Sequence, residues 1–494
     1  MGEGANHRCL KLLSHSRERM PDRAGEGGEN LRYTLEMEER LVQFLTNFFA
    51  NFFSVTKNRV ALLSVILVLV AGGAGWYYWT HIRSVSAQVA EIQYQTPEES
   101  DLYVRFLMEA YDKTSRQYWM KAKDADYAIL FQAALASAEH LTVPPATTTS
   151  DRIGTAQMFA TAIASATSTD AKKQLTLATL NIALHNLPPV GRNGVLSQVQ
   201  VTQLRQEVAN VNPTKDLYND LGVAKNASST AVDAAYKEKV ATLANGTTTA
   251  AKVELQKVTY AHKVLADAAT KSLYDESQVE PTVFYQVIGH TLYADISQIS
   301  PTTLQEFGHA VDSVNGTAGI DSLVIDLRGN IGGALDFAPA FLGLFVGQNQ
   351  YAFDLFHQGK YDPQRTTVGK YPGVERFKEI GLITDNMTQS TAEVTTAMFK
   401  RFHLGVVVGG TTRGWGTVEN TTPIETVIDP NEKYALLLVH YLTLRDDGQP
   451  VQDKGVEPDI FTSDANWRSE LPAHFRSASI VSALSKEATQ APLR

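Results

Sequence analysis

Leu382-Ile383-Thr384-Asp385-Asn386-Met387-Thr388-Gln389-Ser390-Thr391-Ala392-Glu393 opens the stretch that decides the fold, and Val406-Val407-Val408-Gly409-Gly410-Thr411-Thr412-Arg413-Gly414-Trp415-Gly416-Thr417-Val418-Glu419 closes it. Gly381-Leu382-Ile383 is an apolar run that enters a polar turn carrying a serine. Ala392 to Phe402 suits a helix, and Val406 to Val408 is a β-branched strand ended by glycines. Strand, turn, helix, strand is α/β grammar, and a serine on a strand-to-helix turn is where a nucleophile can be presented. The free N–H groups and positive dipole of that helix start suit an oxyanion. The same residues also read as a plain cap, with Ser390 at N-cap and Glu393 at the capping-box position.

Working outward, Ser322-Leu323-Val324-Ile325-Asp326-Leu327-Arg328-Gly329-Asn330-Ile331-Gly332-Gly333 is a buried strand and a glycine-rich turn. Gly448 and Gly455-Val456-Glu457-Pro458-Asp459 follow the central stretch. Together with Ser390-Thr391-Ala392-Glu393 and the segment Val407 to Val418, these blocks resemble, in order, those of the C-terminal processing (tail-specific) peptidases. That is a serine–lysine protease family. The resemblance implies an α/β peptidase core of ClpP/crotonase-like β-α units. It implies Ser390 as nucleophile, and an oxyanion hole from the backbone N–H groups of Gly333 and Thr391.

One departure bears on mechanism. The family's general-base lysine stands between two glycines, 25 residues after the nucleophile, and here that residue is Trp415. An indole N–H donates and cannot take a proton, and Arg413 beside it stays protonated. The family position that orients the lysine, often Gln, is Glu419, a carboxylate that could serve as a base. A serine hydroxyl without a base is a weak nucleophile. Three readings follow: a pseudopeptidase that binds an unstructured polypeptide or a protein partner, an active endopeptidase with a changed base such as Glu419, and a structural interaction protein.

The chain has 494 residues, 44% hydrophobic and 20% charged, enough for several buried cores. A net charge of −9 argues against nucleic acid as a main partner. Cys9 is the only cysteine, which excludes an intrachain disulfide and a cysteine-based zinc site. With no metal or phosphate motif in view, no cofactor and no metal are implied.

Upstream, residues 1–36 are polar and aperiodic and read as a disordered tail, with Met20 and Met37 as alternative starts. Residues 37–59 carry apolar positions from Leu41 to Phe53 at helical spacing and suit an amphipathic interfacial helix. Residues 60–80 are uncharged, long enough to cross a bilayer and closed by Trp76-Tyr77-Tyr78-Trp79, which predicts a transmembrane helix. The flanking basic residues place the N-terminus in the cytoplasm and the bulk of the chain outside a cytoplasmic membrane. A signal peptide cleaved near Val85-Ser86-Ala87 is the alternative. Residues 98–212 form a helical region by pattern, with no visible chemistry and a linker at Val143 to Ser150. Residues 213–278 resemble a J-domain through Asp216 to Val223, Ala235-Tyr236-Lys237 and Tyr260 to Asp267. The His-Pro-Asp triad of such domains falls here on Ala244-Asn245-Gly246, so the likeness is degenerate. It stands where the peptidase family carries a PDZ domain. The peptidase-like core is expected at 282–465, with Gln348 to Glu379 as a lid-like insertion, and 466–494 as a C-terminal tail with a short helix at Ser477 to Lys486.

Overall fold

The computed structural model describes residues 95–139, 150–212, 215–243, 246, 248–445 and 447–493. The expected tail 1–36, interfacial helix 37–59 and transmembrane helix 60–80 lie outside these residues, as do linker residues 143–149 and Ala244-Asn245. Among the described residues no helix is long and apolar enough to cross a membrane. The chain divides into two units, Met1–Ser100 and Asp101–Arg494. Of the first, residues 95–100 are described and contain one 3-10 turn, Pro97–Ser100.

The second unit opens with helices α1 (Leu102–Gln117), α2 (Asp124–Ala138), α3 (Arg152–Ser165) and α4 (Thr169–His185). Asp101, Asp151 and Ser168 cap three of them by accepting N–H groups of the first turn. Strand β1 (Gly194–Ser197) and helix α5 (Gln198–Val208) follow. Then come α6 (Leu217–Leu221), α7 (Ser229–Leu243), α8 (Thr249–Ala266) and α9 (Ala268–Ser277), packed over Leu217, Leu221, Val232, Val258, Val264, Leu265 and Tyr274.

The core begins with β2 (Val283–Ile288), β3 (Thr291–Ile296), α10 (Thr303–Asp312), β4 (Ser322–Asp326) and α11 (Phe337–Val346). It continues with β5 (Tyr351–His357), β6 (Lys360–Arg365), β7 (Glu379–Thr384), α12 (Thr391–Arg401), β8 (Val406–Gly409), β9 (Thr417–Pro423) and β10 (Tyr434–Thr443). It ends with β11 (Ile460–Phe461), α13 (Trp467–His474) and α14 (Ala478–Glu487). One sheet runs β11-β8-β7-β4-β3-β2, parallel from β11 to β3 and antiparallel between β3 and β2. Its strands are apolar on both faces because helices cover both. Phe307, Phe341 and Phe399 of α10, α11 and α12 pack on one face. Trp467, Leu471, Ile480 and Leu484 of α13 and α14 pack on the other, against Tyr293, Val324, Ile383 and Val408. This makes an α/β fold with three layers.

Two expectations about the core change. Residues 466–494 are not a tail beside the core: their helices supply one of its layers, because the sheet face beneath them is wholly apolar. Residues 351–365 are a hairpin rather than a free lid. β5 and β6 pair with each other, and β5 joins β10 in a second sheet of order β1-β10-β5-β6, with β9 also on β10. Polar residues on β6 hid the hairpin, since an edge strand needs no apolar face.

Arg328 ties the α13–α14 layer to the loop after β4. Its guanidinium pairs with the fully buried Asp326 and donates to the carbonyls of Glu487 (2.9 Å) and Gln490 (2.7 Å) at the end of α14. Lysine would keep the charge but not the fork that reaches all of these acceptors. Arg328→Lys is expected to lower the unfolding free energy by about 1–2 kcal/mol in urea denaturation. An unchanged midpoint would mean that apolar packing alone holds the layer.

Candidate active site

The carboxyl ends of β4, β7 and β8 face the same way, and the loops leaving them meet. Hydrogen bonds lock these loops together. Gln389 N–H donates to Asn330 O at 2.9 Å, and Arg413 N–H to Thr388 O at 2.9 Å. Thr388 Oγ1 donates to Leu327 O at 2.8 Å, and Gly329 N–H to Asp385 Oδ1 at 2.9 Å. Fully buried Asn330 holds its own turn, donating to Ile296 O and accepting from Gly332 N–H, each at 2.8 Å.

Ser390 stands at this junction, at the N-cap of α12, with φ 56° and ψ −127°. A serine in this left-handed region carries strain of about 1–3 kcal/mol, so its surroundings must impose the conformation. Gly332 lies directly against it: a Cβ there would come within 2.7 Å of Ser390 Cβ and 3.0 Å of Thr391 N. Only glycine allows that approach. Thr391, at the first position of α12, donates its hydroxyl to Gly333 O at 2.8 Å and so orients the next peptide of the glycine turn. The two residues expected to form an oxyanion hole are therefore neighbours, on either side of the space that Gly332 leaves open. The Gly332 N–H is already spent on Asn330.

Glu393 does more than complete a cap. Its carboxylate, fully buried, accepts the N–H of Ser390 (2.9 Å), the hydroxyl of Thr412 (2.5 Å) and the N–H groups of Gly414 (2.6 Å) and Trp415 (2.7 Å). Burial pushes its pKa above the ordinary range, and these four donors oppose that. One side chain thus fixes the serine turn and the segment before β9 together.

Trp415 lies between Gly414 and Gly416, just before β9. Its Nε1–H donates to Glu419 Oε1 at 3.3 Å, and the same oxygen accepts from Thr417 Oγ1 at 2.6 Å. No basic side chain among the described residues is hydrogen-bonded to the Ser390 hydroxyl. Among the described residues no group of three or more His, Cys, Asp and Glu side chains could hold a metal ion.

Residues 290–462 match the profile of Peptidase family S41. This core is an S41 peptidase domain. The chain is similar to the carboxy-terminal processing protease CtpB of Bacillus subtilis (strain 168), 28% identical over 196 residues, covering 39% of this chain and 38% of that protein. CtpA of the same strain is 27% identical over 178 residues, covering 36% and 34%. The chain thus spans less than two fifths of the length of the curated relatives it matches. Among solved structures, the photosystem II D1 C-terminal processing protease aligns with a TM-score of 0.44 and 12% identity, over 78% of this chain and 98% of that one.

The Trp415 side chain also meets the helical region. The guanidinium of Arg192, from the helical region, stacks on the Trp415 indole, and Arg413 lies 5.9 Å from the centre of the same ring. Burial lowers the Arg192 pKa, while Glu419 nearby favours its charge. The sequence reading missed Arg192. It lies in Leu187-Pro188-Pro189-Val190-Gly191-Arg192, a stretch that looks like any helix connection, and nothing in the one-dimensional pattern joins it to Trp415.

Proposed function

We propose that this chain is a membrane-anchored, extracytoplasmic pseudopeptidase. It keeps the S41 cleft for binding an unstructured polypeptide and lacks the base that would turn Ser390 into an effective nucleophile. The observation that carries the reading is the Trp415–Glu419 hydrogen bond. The residues at the family's base position and at the position that orients the base are engaged with each other, and neither is bonded to Ser390. The ordered serine turn, the Gly333–Thr391 arrangement as an oxyanion site, and exposed Ile331 and Met387 on the two flanking loops support a retained peptide cleft. The membrane anchor rests on residues 60–80 of the sequence.

The test is incubation of the full chain with an unstructured, C-terminally tagged protein, beside Ser390→Ala. Wild type and variant are expected to bind the tagged chain alike, and neither to cleave it. Cleavage by wild type that Ser390→Ala abolishes would overturn the reading. It would favour the second one, an active serine endopeptidase with an unconventional base, for which the left-handed backbone imposed on Ser390 is the supporting observation.

A further inference from the structure

Arg192 is held in place from several sides. Trp119 Nε1 donates to Pro188 O at 3.0 Å, and the Tyr118 hydroxyl donates to the same oxygen. Arg192 N–H donates to Pro189 O at 3.2 Å. Its neighbour Asn193 accepts from Val439 N–H at 2.8 Å and donates to Leu187 O at 3.2 Å, and β1 then pairs with β10. The backbone that launches the guanidinium is therefore anchored to the second sheet.

The guanidinium itself is unanswered. Its Nη1 is buried, and among the described residues it has no hydrogen-bond partner and no ion pair. A buried donor on a cation that lacks an acceptor is costly, so an acceptor that reaches it gains a charge-assisted hydrogen bond. Glu419 is the nearby carboxylate, and its Oε1 already serves Trp415 and Thr417. Arg413, on the same ring, is exposed and also pairs with no carboxylate among the described residues. Stacking on the indole orients planar guanidinium groups while leaving their edges free. Two guanidinium groups around one indole match a carboxylate, which accepts from a planar fork in pairs.

We propose that Arg192 and Arg413, laid against Trp415, form a carboxylate-binding subsite of the Ser390 cleft, in which the helical region supplies the specificity-determining residue. The ligand is a carboxylate on a bound polypeptide, either a chain end or an acidic side chain, and this rests on the polypeptide-binding reading above. Arg192 is the stronger partner because it is anchored and partly desolvated.

The experiment measures binding of fluorescent unstructured peptides to the full chain by polarisation. One peptide is neutral and amidated, one has the same sequence with a free C-terminal carboxylate, and one is amidated with an internal Glu. At least one carboxylate peptide is expected to bind about tenfold or more tighter than the neutral one. Arg192→Gln is expected to erase that preference, and Arg413→Gln to reduce it. Which carboxylate peptide gains tells the chain end from the side chain. Equal binding of all three peptides by wild type, or a preference that survives Arg192→Gln, overturns the subsite while polypeptide binding stands. Failure of every peptide to bind refutes the polypeptide reading instead. The subsite is then judged by Trp415 fluorescence, as the difference between wild type and Trp415→Phe, in acetate against chloride at matched ionic strength. An acetate-specific change that Arg192→Gln removes supports it, and no change overturns it.

Discussion

Trp415→Lys is expected to raise peptide hydrolysis by the full chain by about 10²–10⁴-fold over wild type, the range that a positioned general base contributes. Ser390→Ala in the same background should remove the whole gain. The expectation rests on how firmly the backbone at 415 is held. Successive N–H groups from Thr412 to Gly416 are all bonded: to Val456 O, Thr388 O, the Glu393 carboxylate twice, and Gln452 Oε1. A new side chain at 415 therefore starts from the same Cα. Losing the indole also removes the stack under Arg192 and leaves two guanidinium groups near the new amine. Like charges disfavour protonation, so the lysine should act with a pKa brought down toward about 7–8. The pH profile should accordingly rise toward neutrality and not near the ordinary lysine value of about 10.4. Glu419, freed from the indole, could orient the amine as a hydrogen-bond acceptor. A folded Trp415→Lys protein with no Ser390-dependent turnover would mean that a lysine at 415 is not enough to activate Ser390.

Much of this site is legible along the chain because its parts are local. Strand–turn–helix at β7–α12 and the glycine turn after β4 show in apolar runs, β-branched residues and glycines, and these place Ser390, Gly332, Gly333 and Thr391. The helices of the helical region show in their periodicity. What is hidden depends on distant pairing. β1, four residues within a helical region, carries no strand signal, and it is the edge of β10 that orders it. Arg192 reaches the site through that pairing. Of the two helices at Trp467 to Glu487, the second reads as a short helix at Ser477 to Lys486; the first, and the layer that the two form on the sheet, do not show along the chain.

Glu393 shows the same limit, and its replacement is the second large effect expected. The local pattern pairs it with Ser390 as a capping box. The fold adds three donors from Thr412, Gly414 and Trp415, so that Oε1 and Oε2 each accept two hydrogen bonds. A carboxylate is acceptor-only with about four lone-pair sites, and all are used. Glu393→Ala leaves three backbone N–H groups without an acceptor, and the expected loss is about 3–5 kcal/mol in urea denaturation. Glu393→Gln is not conservative either, because its amide turns two N–H donors toward others. The pH dependence separates charge from packing. Burial, the largest influence, holds the folded pKa of Glu393 above its ordinary 4.5 against the donors. The folded chain keeps a proton there that the unfolded chain has already lost. The corresponding stability is complete below 4.5 and is lost as pH rises through the folded value. Glu306, which burial also raises, contributes a slope of the same sign to wild type and variant alike. Subtracting the Glu393→Gln curve from the wild-type curve therefore isolates Glu393, and the difference should fall with rising pH above 4.5. A difference that rises instead would mean that the four donors outweigh burial, and that the site holds a carboxylate stabilised in its charged form.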